Sequence, residues 1–115
     1  FIATGTGIAP MLAMFAQAPG LERDALLFGC SHQDEDLTAR ISSPMPGTVV
    51  RCLSRQEAPD TFHGRVTQAL PALAHDLRLD PDNTDVYLCG SAAMVADTRD
   101  VLEREGYASV LTEPY

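Results

Sequence analysis

The chain has 115 residues, 45% of them hydrophobic, with 16 acidic against 8 basic side chains and a formal net charge of −8. That length and apolar content suit one globular domain whose core needs no disulfide or metal staple, and they argue against wholesale disorder. The acidity argues against a nucleic-acid or anionic-membrane surface, so an anionic ligand would need a local cluster of arginines.

The first segment, Phe1 to Thr4, is a short apolar run that enters Gly5-Thr6-Gly7-Ile8-Ala9, and Pro10 then opens a helical pattern. Strand, glycine turn and helix in that order point free backbone N–H groups and a helix N-terminus at an anion. Pro10 suits the first helical position, where its missing N–H is no loss. The match to G-x-G-x-x-G is partial, because Pro10 stands in place of the third glycine. No Gly-Lys-Ser/Thr follows, so the segment is not a Walker A loop. By itself it is either a diphosphate cradle or an ordinary strand-to-helix turn. A start inside a strand pattern, without Met, suggests a piece of a longer chain.

Met11, Leu12, Met14, Phe15 and Ala18 give the first helix a broad apolar face, and Pro19-Gly20 stops it. Ala25 to Cys30 is a buried strand that runs into the polar loop Ser31-His32-Gln33-Asp34. The acids Asp34, Glu35 and Asp36 favour a short helix through Leu37 to Ile41, broken by Ser43-Pro44-Met45-Pro46-Gly47. Thr48 to Leu53 is a third strand, followed by a loop from Gln56 to His63. From Gly64, the spacing of Val66, Leu70, Leu73 and Leu77 predicts a helix, which Pro71 must kink or shorten by its first turn. Asp85 to Gly90 is a fourth strand. Ser91 caps a helix carrying Met94, Val95, Thr98, Val101 and Leu102, and Gly106 ends it. Ala108 to Thr112 is a fifth short strand before Glu113, Pro114 and Tyr115.

Strand and helix alternate throughout, and the strands are continuously apolar. The expected fold is therefore α/β: a five-stranded parallel sheet, doubly wound and Rossmann-like, with helices on both faces. Ligands in such sheets bind at the carboxyl ends of the strands. Cys30, Cys52 and Cys89 lie in or beside apolar runs without CxxC spacing, which fits buried free thiols in a cytoplasmic protein and no metal site. No signal peptide and no membrane-spanning run is evident.

Three motifs now fall in order: Gly5-Thr6-Gly7-Ile8-Ala9-Pro10, then Ser54-Arg55 with Gly64-Arg65-Val66-Thr67, then Val86-Tyr87-Leu88-Cys89-Gly90-Ser91 with Met94-Val95. With the ending Glu113 and Tyr115, the chain resembles the C-terminal NAD(P)-binding domain of the ferredoxin–NADP reductase superfamily over nearly its whole length. The resemblance implies that Thr4, Gly5, Thr6, Gly7, Ile8, Ala9 and Pro10 cradle the dinucleotide diphosphate. It implies that Ser54, Arg55 and Arg65 hold the 2′-phosphate of NADP, for which a guanidinium fork is the fitting donor, and that Ser31 also belongs to the cofactor site. Cys89 and Gly90 would lie against the nicotinamide, beside Ser91 and Met94. Glu113 would sit near hydride transfer, and Tyr115 would stack toward the flavin. Cys89 as a plain core thiol, and Glu113 and Tyr115 as an ordinary terminus, remain the alternatives.

The family further implies FAD in a domain preceding this one, and ferredoxin, flavodoxin or another redox carrier as partner. Where many NADP-using members carry an arginine after the second strand, this chain has Ser31-His32. An NADH-dependent reductase component of an oxygenase or flavohaem system, and a non-catalytic dinucleotide-sensing module, therefore stand beside the NADP(H) reading.

Overall fold

The computed structural model describes residues 1–42 and 44–114. Six parallel strands form one sheet: β1 (Ile2–Thr4), β2 (Ala25–Cys30), β3 (Thr48–Leu53), β4 (Phe62–His63), β5 (Val86–Gly90) and β6 (Val110–Pro114). Their order is β4-β3-β2-β1-β5-β6. The chain winds outward from β1 on one side through β2, β3 and β4. It then crosses back to lay β5 on the other side of β1. The reversal of direction lies between β1 and β5, and the strands' carboxyl ends there open a crevice.

Successive residues of each strand go to opposite faces. Ile2, Leu27, Cys52, Val86 and Leu88 pack with α2 (Val66–Asp76) and α3 (Ala92–Arg104). Ala3, Leu26, Phe28 and Cys89 pack with Met11 and Phe15 of α1 (Ala9–Gln17). Helices cover both faces of the inner strands β1, β2 and β5, whereas the edge strand β6 leaves Leu111 56% exposed. Ser91 caps α3 by accepting from the Met94 N–H at 3.2 Å. Gly106 (φ +90°) reverses the chain after α3, in the left-handed region that glycine enters without a Cβ clash. Among the described residues, no helix is long and apolar enough to cross a membrane.

Two sequence-based expectations need correction. The sheet has six strands rather than five. The additional strand, β4, is two residues long and pairs with Cys52 and Leu53. A pair of residues carries no periodicity, and the turn residues Pro59 and Asp60 beside it disguise it. The expected helix through Leu37 to Ile41 is instead a pair of 3₁₀ turns, Gln33–Glu35 and Leu37–Arg40. Asp36 separates them in extended conformation (φ −73°, ψ 98°). Its carboxylate caps the second turn through Thr38 N at 2.9 Å and pairs with Arg51 Nε of β3 at 3.1 Å. Of the two effects expected of Pro71, the split of the first turn does not occur, since α2 runs unbroken from Val66 to Asp76. The ring lies on the exposed side of the helix, and its missing N–H removes only the bond to the Thr67 carbonyl. The expected break at Ser43 lies outside the described residues.

Candidate functional site

At the carboxyl ends of the strands, on the α2 and α3 side, is a cleft of about 580 Å³. Thr4, Gly5 and Thr6 form its floor after β1. Ser31 and Ser54 border it at the ends of β2 and β3, Arg65 and Thr67 at the start of α2, and Ser91 and Met94 at the start of α3. A 3₁₀ turn, Gly5–Ile8, follows β1 directly, and Gly5 has φ +52°. The N-terminal ends of this turn, α2 and α3 all border one cleft. Each carries backbone N–H groups without an intrahelical partner and the positive end of a helix dipole. That arrangement can accept an anion, although the carboxylates of Glu35 and Asp97 also line the cleft.

The short β4 positions the cation. Gly64 N donates to Leu53 O at 2.8 Å, which holds the chain beside the end of β3 just before Arg65. Gly64 has φ +147°, and a Cβ there would lie 2.8 Å from Phe62 Cε1. The backbone N–H of Arg65 donates to Gln68 Oε1 at 2.8 Å, and Gln68 N donates back to Arg65 O at 3.0 Å. These two bonds fix the first turn of α2 while the Arg65 side chain stays exposed.

The predicted site residues fall into separate groups. Thr4, Gly5, Thr6, Ser31, Ser54, Arg65, Ser91 and Met94 share the cleft. Arg55 is exposed after β3 and does not line it, although its N–H donates to Ser31 O at 3.0 Å and joins the two loops. Ala9 is exposed on α1, while Gly7 and Ile8 are buried under the loop. Gly7 is packed against the end of β5. A Cβ there would lie 2.8 Å from the Cys89 carbonyl carbon and would overlap its oxygen. Pro10, Cys89 and Glu113 line a smaller hollow of about 130 Å³ on the α1 face. Cys89 and Glu113 are direct partners across β5 and β6. Tyr115 lies outside the described residues.

Gly90 sits under both groups. A Cβ on it would lie 2.5 Å from Thr4 Oγ1 and would overlap the Met94 methyl. The space left by the missing side chain is thus taken by Met94, whose sulfur accepts from Thr98 Oγ1 at 3.3 Å. Sequence reasoning missed Thr67, Glu35 and Asp97 as cleft residues. Thr67 was within reach of the Gly64-Arg65-Val66-Thr67 motif. Glu35 was not, because the 3₁₀ turn that brings it back is visible only in three dimensions.

All three thiols are held in the neutral form. Burial, with smaller contributions from Asp36, Glu35 and Asp34, pushes Cys30 up to about 11. Burial and then Cys30 push Cys52 up to about 12. Burial first and the Glu113 charge second raise Cys89. None is an activated nucleophile. A larger hollow of about 740 Å³ lies at the opposite, amino-terminal end of the strands, beside Phe1, Asp24 and Asp85. Among the described residues, no glycine loop or helix N-terminus of the kind above lines it.

With this geometry in place, residues 1–100 match the family model for the oxidoreductase NAD-binding domain. The chain belongs to the oxidoreductase NAD-binding domain family. A ferredoxin NADP⁺ reductase from Neisseria gonorrhoeae, solved with bound FAD and NADP, is similar at 25% identity and a TM-score of 0.79. The similarity covers 98% of this chain and 54% of that one. The flavohaem-like FAD/NAD-binding domain of nitric oxide dioxygenase from Vibrio cholerae O1 biovar El Tor shares the fold, with 21% identity and a TM-score of 0.73 over 99% of this chain and 49% of that one. This NAD-binding domain spans about half the length of each of these structures. No curated protein sequence matched it.

Proposed function

We propose that this chain is the NADP(H)-binding half of a flavin-dependent oxidoreductase. It orients the nicotinamide for hydride transfer to or from FAD carried by a domain that precedes it, with electrons passing to or from a ferredoxin- or flavodoxin-like carrier. The observation that carries this reading is the convergence of the Thr4–Thr6 loop and the starts of α2 and α3 on one cleft that also holds Arg65. The kinship with a reductase that binds FAD and NADP supports it.

The cofactors supply the redox chemistry, and this chain supplies binding and orientation. Backbone N–H groups of residues 4–6 and the cap region of α3 would hold the diphosphate. Arg65, with Ser54 and Ser31, would hold the 2′-phosphate by charge-assisted hydrogen bonds. Arg55 would join them by turning its exposed side chain inward. Met94 would yield the space over Gly90 to the nicotinamide, and Glu113, paired with Cys89 at the strand ends, would border that site.

Calorimetric titration of NADPH and NADH tests the reading. Tighter binding of NADPH, reduced about tenfold or more by Arg65→Ala with NADH unchanged, is the expected result. Equal weakening of both dinucleotides would move the assignment to an NADH-dependent reductase component, a second reading favoured by His32 and Glu35 at the end of β2. Dinucleotide binding by an intact, full-length protein devoid of flavin would instead support a sensing module.

A further inference from the structure

We infer that the Met94 side chain is a displaceable plug at the β5 end of the cleft, and that Thr98 is the residue that holds it closed. The inference rests on the dinucleotide reading above and deepens it, because it assigns binding a conformational cost that falls on the nicotinamide end alone.

Among the described residues, the buried polar side chains are Asp36, Thr38 and Thr98. Asp36 and Thr38 bond to each other and to Arg51, so the fold itself accounts for them. Thr98 has a different partner. It is fully buried and shares the inner face of α3 with Val95 and Leu102. A threonine hydroxyl in a helix ordinarily turns back to the carbonyl one turn earlier. Here it reaches the thioether one turn earlier, donating to Met94 Sδ at 3.3 Å. Met94 lines the cleft, and its methyl fills the space over Gly90 where a Cβ would also stand 2.5 Å from Thr4 Oγ1. The backbone beneath it is fixed, because Met94 N donates to Ser91 Oγ at 3.2 Å and Val95 N to Ser91 O at 2.9 Å. Only the side chain can move, and an unbranched thioether changes rotamer readily.

A ring that enters the space over Gly90 must push the Met94 methyl aside and break the bond from Thr98. Apparent affinity is lowered by the fraction of molecules in which that space is open. A ligand that stops at the diphosphate loop leaves Met94 where it is and meets no such cost. The plug therefore separates the two halves of the dinucleotide: the adenosine half docks on a preformed surface, and the nicotinamide half has to open its own.

The test is calorimetric titration of NADPH and of adenosine 2′,5′-bisphosphate, which has the 2′-phosphate but no nicotinamide, against the wild-type protein and three variants. Thr98→Val keeps the branched shape and removes the donor. It is expected to tighten NADPH by about two- to fivefold and to leave the bisphosphate unchanged. Met94→Ala empties the space over Gly90 and is expected to tighten NADPH at least as much, again without effect on the bisphosphate. Because Met94 is only half-buried, that variant carries the test however the core tolerates Thr98→Val. In the double variant the second substitution is expected to add nothing, since the partner of Thr98 is already gone. Unchanged or weakened NADPH binding in Met94→Ala, or an equal gain for the bisphosphate, overturns the plug while leaving the dinucleotide site standing. A full additional gain in the double variant overturns the role of Thr98. Failure of the wild-type protein to bind NADPH at all overturns the plug and the dinucleotide reading together.

Discussion

Gly7 lies against the carbonyl of Cys89. A Cβ on Gly7 would stand 2.8 Å from that carbonyl carbon and 3.2 Å from Gly90 N. The loop after β1 and the end of β5 are thereby pressed together at the reversal point of the sheet.

Gly7→Ala should therefore lower stability, by about 1–3 kcal/mol, as expected for overpacking against backbone that cannot retreat. Urea unfolding monitored by circular dichroism measures it. Dinucleotide affinity should fall in the same variant, because the loop above Gly7 moves with it. Unchanged stability would mean the two segments separate freely.

The β2–β3 side of the cleft depends on Asp36. It is 6% exposed, and its carboxylate meets Arg51 Nε at 3.1 Å, Thr38 N at 2.9 Å and Thr38 Oγ1 at 2.5 Å. Arg51 is half-exposed, so solvent screens the ionic part and the hydrogen bonds carry most of the effect. Asp36→Ala should cost about 1–3 kcal/mol. Arg51→Met, which removes a partly solvated group, should cost less in the same denaturation experiment.

The thiols predict a pH dependence. Cys30 and Cys52 are pushed up to about 11 and about 12 in the folded protein, and Cys89 is also raised. An acid whose folded pKa is raised binds more protons folded than unfolded between the two values, so stability falls as pH rises. The contribution is complete below the unfolded thiol range and is lost on the alkaline side toward pH 11–12. Alkylation by iodoacetamide at about pH 8 should be slow in the folded protein and fast after denaturation. Rapid labelling of the folded protein at Cys89 would contradict its neutral, buried state.

Gly90→Ala tests the packing at the end of β5, where the proposed function puts the nicotinamide. The added methyl collides with Thr4 Oγ1 and the Met94 methyl, so Met94 must give way. In the flavin-containing protein, hydride transfer measured by stopped flow should slow more than dinucleotide binding weakens, as expected for lost positioning. Equal losses in both would mean the substitution damages the cleft as a whole.

Most of the architecture was legible because it rests on repeated local signals. Continuous apolar runs such as Ala25–Cys30 marked buried parallel strands, and Ser91 and Gly106 marked the ends of α3. The remainder depends on contacts between distant residues. β4 exists only because Phe62 and His63 meet Cys52 and Leu53. The helix expected at Leu37 is interrupted because Asp36 finds Arg51 on β3. The glycine motif located the loop, yet its pattern could not reveal that Gly7 serves the sheet while Gly5 and its neighbours face the cleft. Nor could spacing place Glu35 at the cleft, since the turn that carries it is fixed by His32 and Gln56.

The central claim is that a dinucleotide lies along the strand ends between β2, β1 and β5. Amide hydrogen exchange with and without saturating NADPH tests it most directly. Slowed exchange is predicted for residues 4–6 and for the starts of α2 and α3 around Arg65–Thr67 and Ser91–Met94. The amino-terminal hollow around Asp24 and Asp85 should remain unchanged. Protection confined to that opposite end, or no protection at saturating NADPH, would contradict the account.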